Sequence, residues 1–65
     1  MNNGLIINEN NNEVLIKGKK EDLEELANYI LKVANSNQKN DHLHLDELTI
    51  ISDNSDIKNL IIEKE

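Results

Sequence analysis

One stretch of this chain has the period of an α-helix, and it is the only one that does. Leu23, Leu26, Ala27, Ile30, Val33 and Ala34 follow the i, i+3, i+4, i+7 spacing of a single apolar stripe. Leu31 and Tyr29 sit at its two edges, with Glu21, Glu25 and Lys32 opposite. One such helix covers one face of a sheet and no more. The rest of the fold has to be arranged under that single cover.

The flanking segments have the shorter period of strands. GLIIN and EVLIK are short β-branched runs separated by an asparagine-rich stretch, Asn8 to Asn12, whose residues tolerate left-handed turns; this predicts a β-hairpin. Gly18 breaks the pattern, and the helix is expected from about Lys20 to Ser36. Glu21, Asp22, Glu24 and Glu25 favour its positive N-terminal end, although no Ser, Thr, Asp or Asn stands ahead of them as a cap. Asn35-Ser36-Asn37 supplies the stop, with asparagine expected in the left-handed C-terminal position.

Beyond the helix, alternation returns in DHLHLDELTII. Leu43 and Leu45 share one strand face, while His42, His44 and Asp46 share the other. The next apolar residues, Leu48 and Ile50, are out of phase, so a bulge or tight turn is expected near Asp46-Glu47. A second turn follows at Ser52 to Asp56. NLIIEK then forms a last strand, with Leu60 and Ile62 on one face and Ile61 on the other.

The expected architecture is a single small α+β domain over residues 1–65, in the order ββαββ. It has two layers, a four-stranded mainly antiparallel sheet and one helix on one face. Leu5, Ile7, Val14, Ile16, Leu43, Leu45, Leu60 and Ile62 would pack under the helix. Ile6, Leu15 and Ile61 would lie on the uncovered face together with His42 and His44, as a surface for a protein partner or for a second copy.

Composition removes several function classes. The chain has 13 acidic and 7 basic residues, a net charge of -6, and Tyr29 as its only aromatic. Nucleic-acid binding needs the opposite sign and stacking platforms. An acidic surface instead attracts a basic protein. With no cysteine there is neither a disulfide framework nor a thiolate metal site. No apolar run reaches the roughly 20 residues of a membrane span, and MNNGLIINEN lacks the features of a signal peptide, so a cytoplasmic location is expected.

The histidine pair is the one candidate metal motif. Two residues apart on a strand, the rings share a face, about 7 Å apart at the backbone. A zinc site needs a third or fourth protein ligand, which this strand does not offer on that face within reach, so His42 and His44 are read as contacts rather than ligands. Ser52 and Ser55 beside Asp53 and Asp56 are read as a hydrogen-bonded turn, not as part of a catalytic triad. No enzyme activity and no cofactor are expected.

Two motifs carry a family resemblance. The helix entry GKKEDLEELA, with Gly18, Asp22, Leu23, Leu26 and Ala27, and the HxHL strand, with His42, His44 and Leu45, resemble the immunity protein 32 family of bacterial polymorphic-toxin systems. In that family the HxHL strand is often followed by a segment containing glycine and an aromatic residue. Here Asp46 to Ile51 has neither, which marks a divergent or shortened member. The resemblance implies a non-catalytic inhibitor of a cognate toxin. His42, His44, Asp46 and Glu47 would face that toxin, with the acidic helix face as a second candidate. The alternative is a self-associating structural or regulatory module without a toxin partner, a homodimer through the open sheet face.

Overall fold

The computed structural model describes residues 4–65, in the order β1 (Ile6–Asn10), β2 (Glu13–Lys17), α1 (Lys20–Ala34), β3 (His42–Asp46) and β4 (Asn59–Glu63). The order ββαββ agrees with the periodicity. β1 and β2 pair antiparallel, with Asn10 opposite Glu13 and Ile6 opposite Lys17. Asn11 and Asn12 close this hairpin with φ of 51° and 69°. Positive φ at both central residues gives a two-residue turn whose twist matches that of the strands. Of the asparagine-rich stretch only Asn11 and Asn12 form the turn; Asn8 to Asn10 belong to β1, so the turn is shorter than the composition suggests.

Helix α1 starts at Lys20 behind Lys19, whose side chain makes no capping hydrogen bond. A basic residue there also opposes the helix dipole. Lys19→Ser is expected to raise stability by about 1 kcal/mol through a new cap, read as a higher urea midpoint at unchanged slope. No gain would show that the helix start is already satisfied in another way. The C-terminus stops where expected by a different device. Asn35 has φ -92° and is not left-handed. Its N–H donates to the Leu31 carbonyl at 3.0 Å, and that of Ser36 to Val33 at 3.1 Å. The left-handed asparagine comes later, at Asn40, with φ 62°.

The expected single four-stranded sheet is replaced by two two-stranded sheets, β1–β2 and β3–β4, both antiparallel. What joins them is the irregular segment 50–57, laced to the free edge of β1. The Leu5 N–H donates to the Ile50 carbonyl and the Ser52 N–H to the Leu5 carbonyl, both at 2.7 Å, making a parallel bridge between Leu5 and Ile51. Further along, the Ile57 N–H reaches the Ile7 carbonyl at 3.0 Å. A turn at Asp53-Asn54 and a bend at Asp56 keep this stretch from running on as a regular strand.

Leu5, Ile7, Leu26, Leu45, Ile50 and Ile51 form the buried core, and Tyr29, Leu43, Ile57, Leu60 and Ile62 pack against it. Val14 and Ile16 do not join it. They are 60% and 38% exposed. The reason is the width of the cover. A helix with its side chains is about 10–12 Å across, roughly two strand spacings, and α1 lies on β3 and β4. β2 is on the far side of β1 from the lacing segment, outside that footprint. The helix also seats on one edge of its stripe: Leu26 and Val33 are buried, while Leu23 and Ile30 remain exposed.

The Tyr29 hydroxyl donates to Glu25 Oε2 at 3.2 Å. Desolvation, this hydrogen bond and the glutamate charge all raise its pKa above 10.0. Because Tyr29 is the sole aromatic, an ultraviolet titration reads this one group. It is expected to ionise above the free-tyrosine value in the folded chain and to return to that value in denaturant. A raised folded pKa stabilises fully below the unfolded value, and that contribution is lost as pH rises through the folded one. Ionisation at the ordinary value would show that Glu25 exerts no hold.

Candidate partner-binding site

Strand β3 alternates as its sequence implies. Leu45 is buried and Leu43 half-buried on the inner face, while His42 and His44 are exposed on the outer one. The register sets His44 directly opposite Ile61 and His42 opposite Glu63. Directly opposed residues of an antiparallel pair share a face, so His44 and the exposed Ile61 form a contiguous amphipathic patch. The two imidazoles meet edge to face, with ring centroids 5.1 Å apart and planes at 68°. His42 Nδ1 lies 3.2 Å from the Asn40 carbonyl, which fixes that ring as the donor there. The His42 backbone N–H donates to Asp41 Oδ1 at 3.0 Å.

Asp46 ends the strand and builds the turn expected after it. Its Oδ1 accepts the Leu48 N–H at 2.9 Å, and its N–H donates to Thr49 Oγ1 at 2.8 Å. Its carbonyl accepts the Thr49 N–H at 3.1 Å, the Ile51 N–H at 3.0 Å and the Thr49 hydroxyl at 2.9 Å. This turn resets the phase so that Ile50 and Ile51 are both buried. Leu48 is not brought inside. It is 93% exposed at the tip of the turn, next to Glu47, whose carboxylate lies 3.7 Å from Lys58 Nζ.

Leu48 is the surface residue that periodicity missed. The usable signal was Asp46-x-x-Thr49, the spacing of a turn closed by two side chains. Such a turn leaves the residues between its ends at the tip.

The structure brings together His42, His44 and Ile61, with Asp46, Glu47 and Leu48 continuing from the end of β3. It does not bring Ile6 and Leu15 into the same sheet. Both face away from the core on the β1–β2 hairpin, opposite Lys17 and Asn8 respectively. An open groove of about 770 Å³ runs along that hairpin beside Leu15, lined by Asn8, Glu9, Glu13, Val14 and Asp56 among others. Among the described residues, no group of three or more His, Asp or Glu side chains is placed to hold a metal ion, and no helix is long and apolar enough to cross a membrane.

Ser52 and Ser55 are engaged with the backbone. Ser52 Oγ accepts the Asn54 N–H at 3.1 Å, as expected for a turn serine. Ser55 reaches much further. Its Oγ accepts the Ile7 N–H at 2.9 Å and donates to the Leu5 carbonyl at 3.1 Å.

A family model described as Immunity protein 32 matches residues 13–65. The chain belongs to the immunity protein 32 family. The match begins at the first residue of β2 and takes in the Gly18 helix entry, the His42-x-His44 strand and the Asp46 turn, with β1 ahead of it. No curated protein and no solved structure matches the chain significantly. Immunity protein 32 membership makes this an immunity-type protein. Such families are generally non-catalytic, and their partner is another protein.

Proposed function

We propose that the chain acts in the cytoplasm of a bacterium as a stoichiometric inhibitor of a cognate toxin. The match over residues 13–65 carries this reading. The net charge of -6 supports it, because an acidic inhibitor is steered toward a basic toxin domain. The surface assigned to the toxin is His42, His44 and Ile61 on the outer face of β3–β4, with Asp46, Glu47 and Leu48 at its end. Leu48 is the anchor: a large exposed side chain on a turn braced by hydrogen bonds loses little freedom on docking and fills a pocket. Ile6 and Leu15, on the other hairpin, lie outside that surface.

Titration of the purified toxin domain separates inhibition by binding from inhibition by chemistry. Toxin activity is expected to fall linearly and reach zero at a fixed molar ratio, with intact toxin recovered after denaturing the complex. Leu48→Asp, at a site with no core contact to lose, should weaken the complex by at least about thirtyfold, the scale of a hot-spot residue. Complete inhibition by far less than one equivalent would overturn the reading.

A further inference from the structure

The outer edge of β2 is an unpaired strand whose chemistry is complementary to itself. Every residue of Glu13–Lys17 is exposed, and β1 is its sole strand neighbour among the described residues. The orientation of its peptide groups follows from β1. The Leu5 and Ile7 peptide groups point away from β2, toward segment 50–57. Ile7 is opposite Ile16, so that pair is of the type that exchanges no hydrogen bonds. The N–H and C=O groups of Ile16, and of Val14 two residues earlier, therefore point to the outer edge. An exposed apolar edge strand with its donors and acceptors unmet is a template for another strand.

The side chains say which strand fits. Read as E-V-L-I-K, residues Glu13–Lys17 have opposite charges at their two ends. Among the described residues the ion pairs are Lys20–Glu24 and Lys58–Glu47, so Glu13 and Lys17 have no charged partner among those residues. We infer that two copies of the chain pair antiparallel through β2, about a twofold axis at Leu15. In that register Glu13 of each copy faces Lys17 of the other. Val14 and Ile16 exchange backbone hydrogen bonds across the axis, and the two Leu15 side chains meet on one face.

Sliding the register by two residues either way sets Leu15 against a charged residue. Parallel pairing sets Glu13 beside Glu13 and Lys17 beside Lys17. Opposite charges stabilise a cross-strand pair and like charges destabilise it. The twofold register alone satisfies both ends. The resulting dimer has a four-stranded β1–β2–β2–β1 sheet and leaves His42, His44 and Leu48 outside the contact. It does not depend on the toxin assignment.

Sedimentation velocity over micromolar to millimolar concentrations tests this with charge reversals at two exposed positions. The wild-type chain is expected to show a reversible dimer. Glu13→Lys sets lysine against lysine and Lys17→Glu sets glutamate against glutamate, so each variant alone should dimerise at least about tenfold more weakly. In an equal mixture of the two variants, the introduced lysine of one faces the introduced glutamate of the other. The native Lys17 and Glu13 left in them face each other at the opposite end, and a heterodimer of wild-type affinity should return. Val14→Pro removes an outward N–H without touching the ladder to β1 and should give monomer with a folded circular dichroism spectrum. A wild-type chain that stays monomeric throughout overturns the inference and leaves the edge to a foreign strand. Single reversals that dimerise as well as wild type, or a mixture that fails to pair, overturn the register.

Discussion

Ser55→Ala is expected to destabilise the fold by about 2–4 kcal/mol, because it leaves two buried backbone groups without partners. The Ser55 residue is 4% exposed. Its hydroxyl satisfies two backbone groups of β1 at once, the Ile7 N–H and the Leu5 carbonyl. Alanine keeps the β-carbon and makes neither bond, and each buried backbone group left unmet costs about 1–3 kcal/mol. A domain of this size is stable by roughly 3–10 kcal/mol in all, so much of that margin would go. The damage should also be local to the seam between the hairpins, with amide protection lost first at Leu5 and Ile7. Ser52→Ala is the control, since the Ser52 hydroxyl accepts one nearby N–H and its loss should cost about 1 kcal/mol. Equal urea midpoints for the two variants would show that Ser55 does not hold the seam.

Gly4→Ala is the second large effect, expected at about 1–3 kcal/mol or somewhat more. A Cβ at Gly4 would run into the Ile50 carbonyl oxygen, with the Ile50 carbonyl carbon 2.8 Å away and the Ser52 nitrogen 3.0 Å away. All three are backbone atoms of the strand-like segment that bridges to Leu5, so nothing can swing aside without opening the bridge. Among the described residues no glycine has a positive φ; the requirement is for space, not for an unusual backbone angle. Gly18→Ala makes the comparison. Its Cβ would meet Leu5 Cδ2 at 2.6 Å, the end of a side chain rather than backbone, so it should cost less. A thermal melt in which Gly18→Ala is the more damaging change would contradict this role for Gly4 at the seam.

Much of the local structure was legible because it depends on neighbours in sequence. Asn11 and Asn12 announced a turn by their tolerance of positive φ, and the helix stripe announced α1 by its period. The phase slip after Asp46 announced a turn there. What stayed hidden depends on distant partners. Periodicity says which way Val14 and Ile16 point, but not that β2 lies beyond the width of one helix. It ranks Ser55 as a turn residue, but cannot show that its hydroxyl spans 48 residues to β1. Leu48 misled because an apolar letter out of phase reads as a core residue awaiting a bulge. The closing bonds from Thr49 put it outside instead. For the candidate site, His42, His44 and Ile61 were correctly placed on one outer face, whereas Ile6 and Leu15 were assigned to that face only because a single sheet was expected.

Toxin neutralisation is open to a simple growth assay. Immunity genes of this kind are expected beside the gene of the toxin they restrain. The C-terminal domain of that neighbouring protein, expressed alone in a bacterial host, should arrest growth. Co-expression of this chain should restore growth to the rate of the empty-vector control, and Leu48→Asp at equal abundance should restore it poorly. Arrest that persists with the folded wild-type chain present, for the C-terminal domain of every plausible neighbour, would contradict a role in immunity.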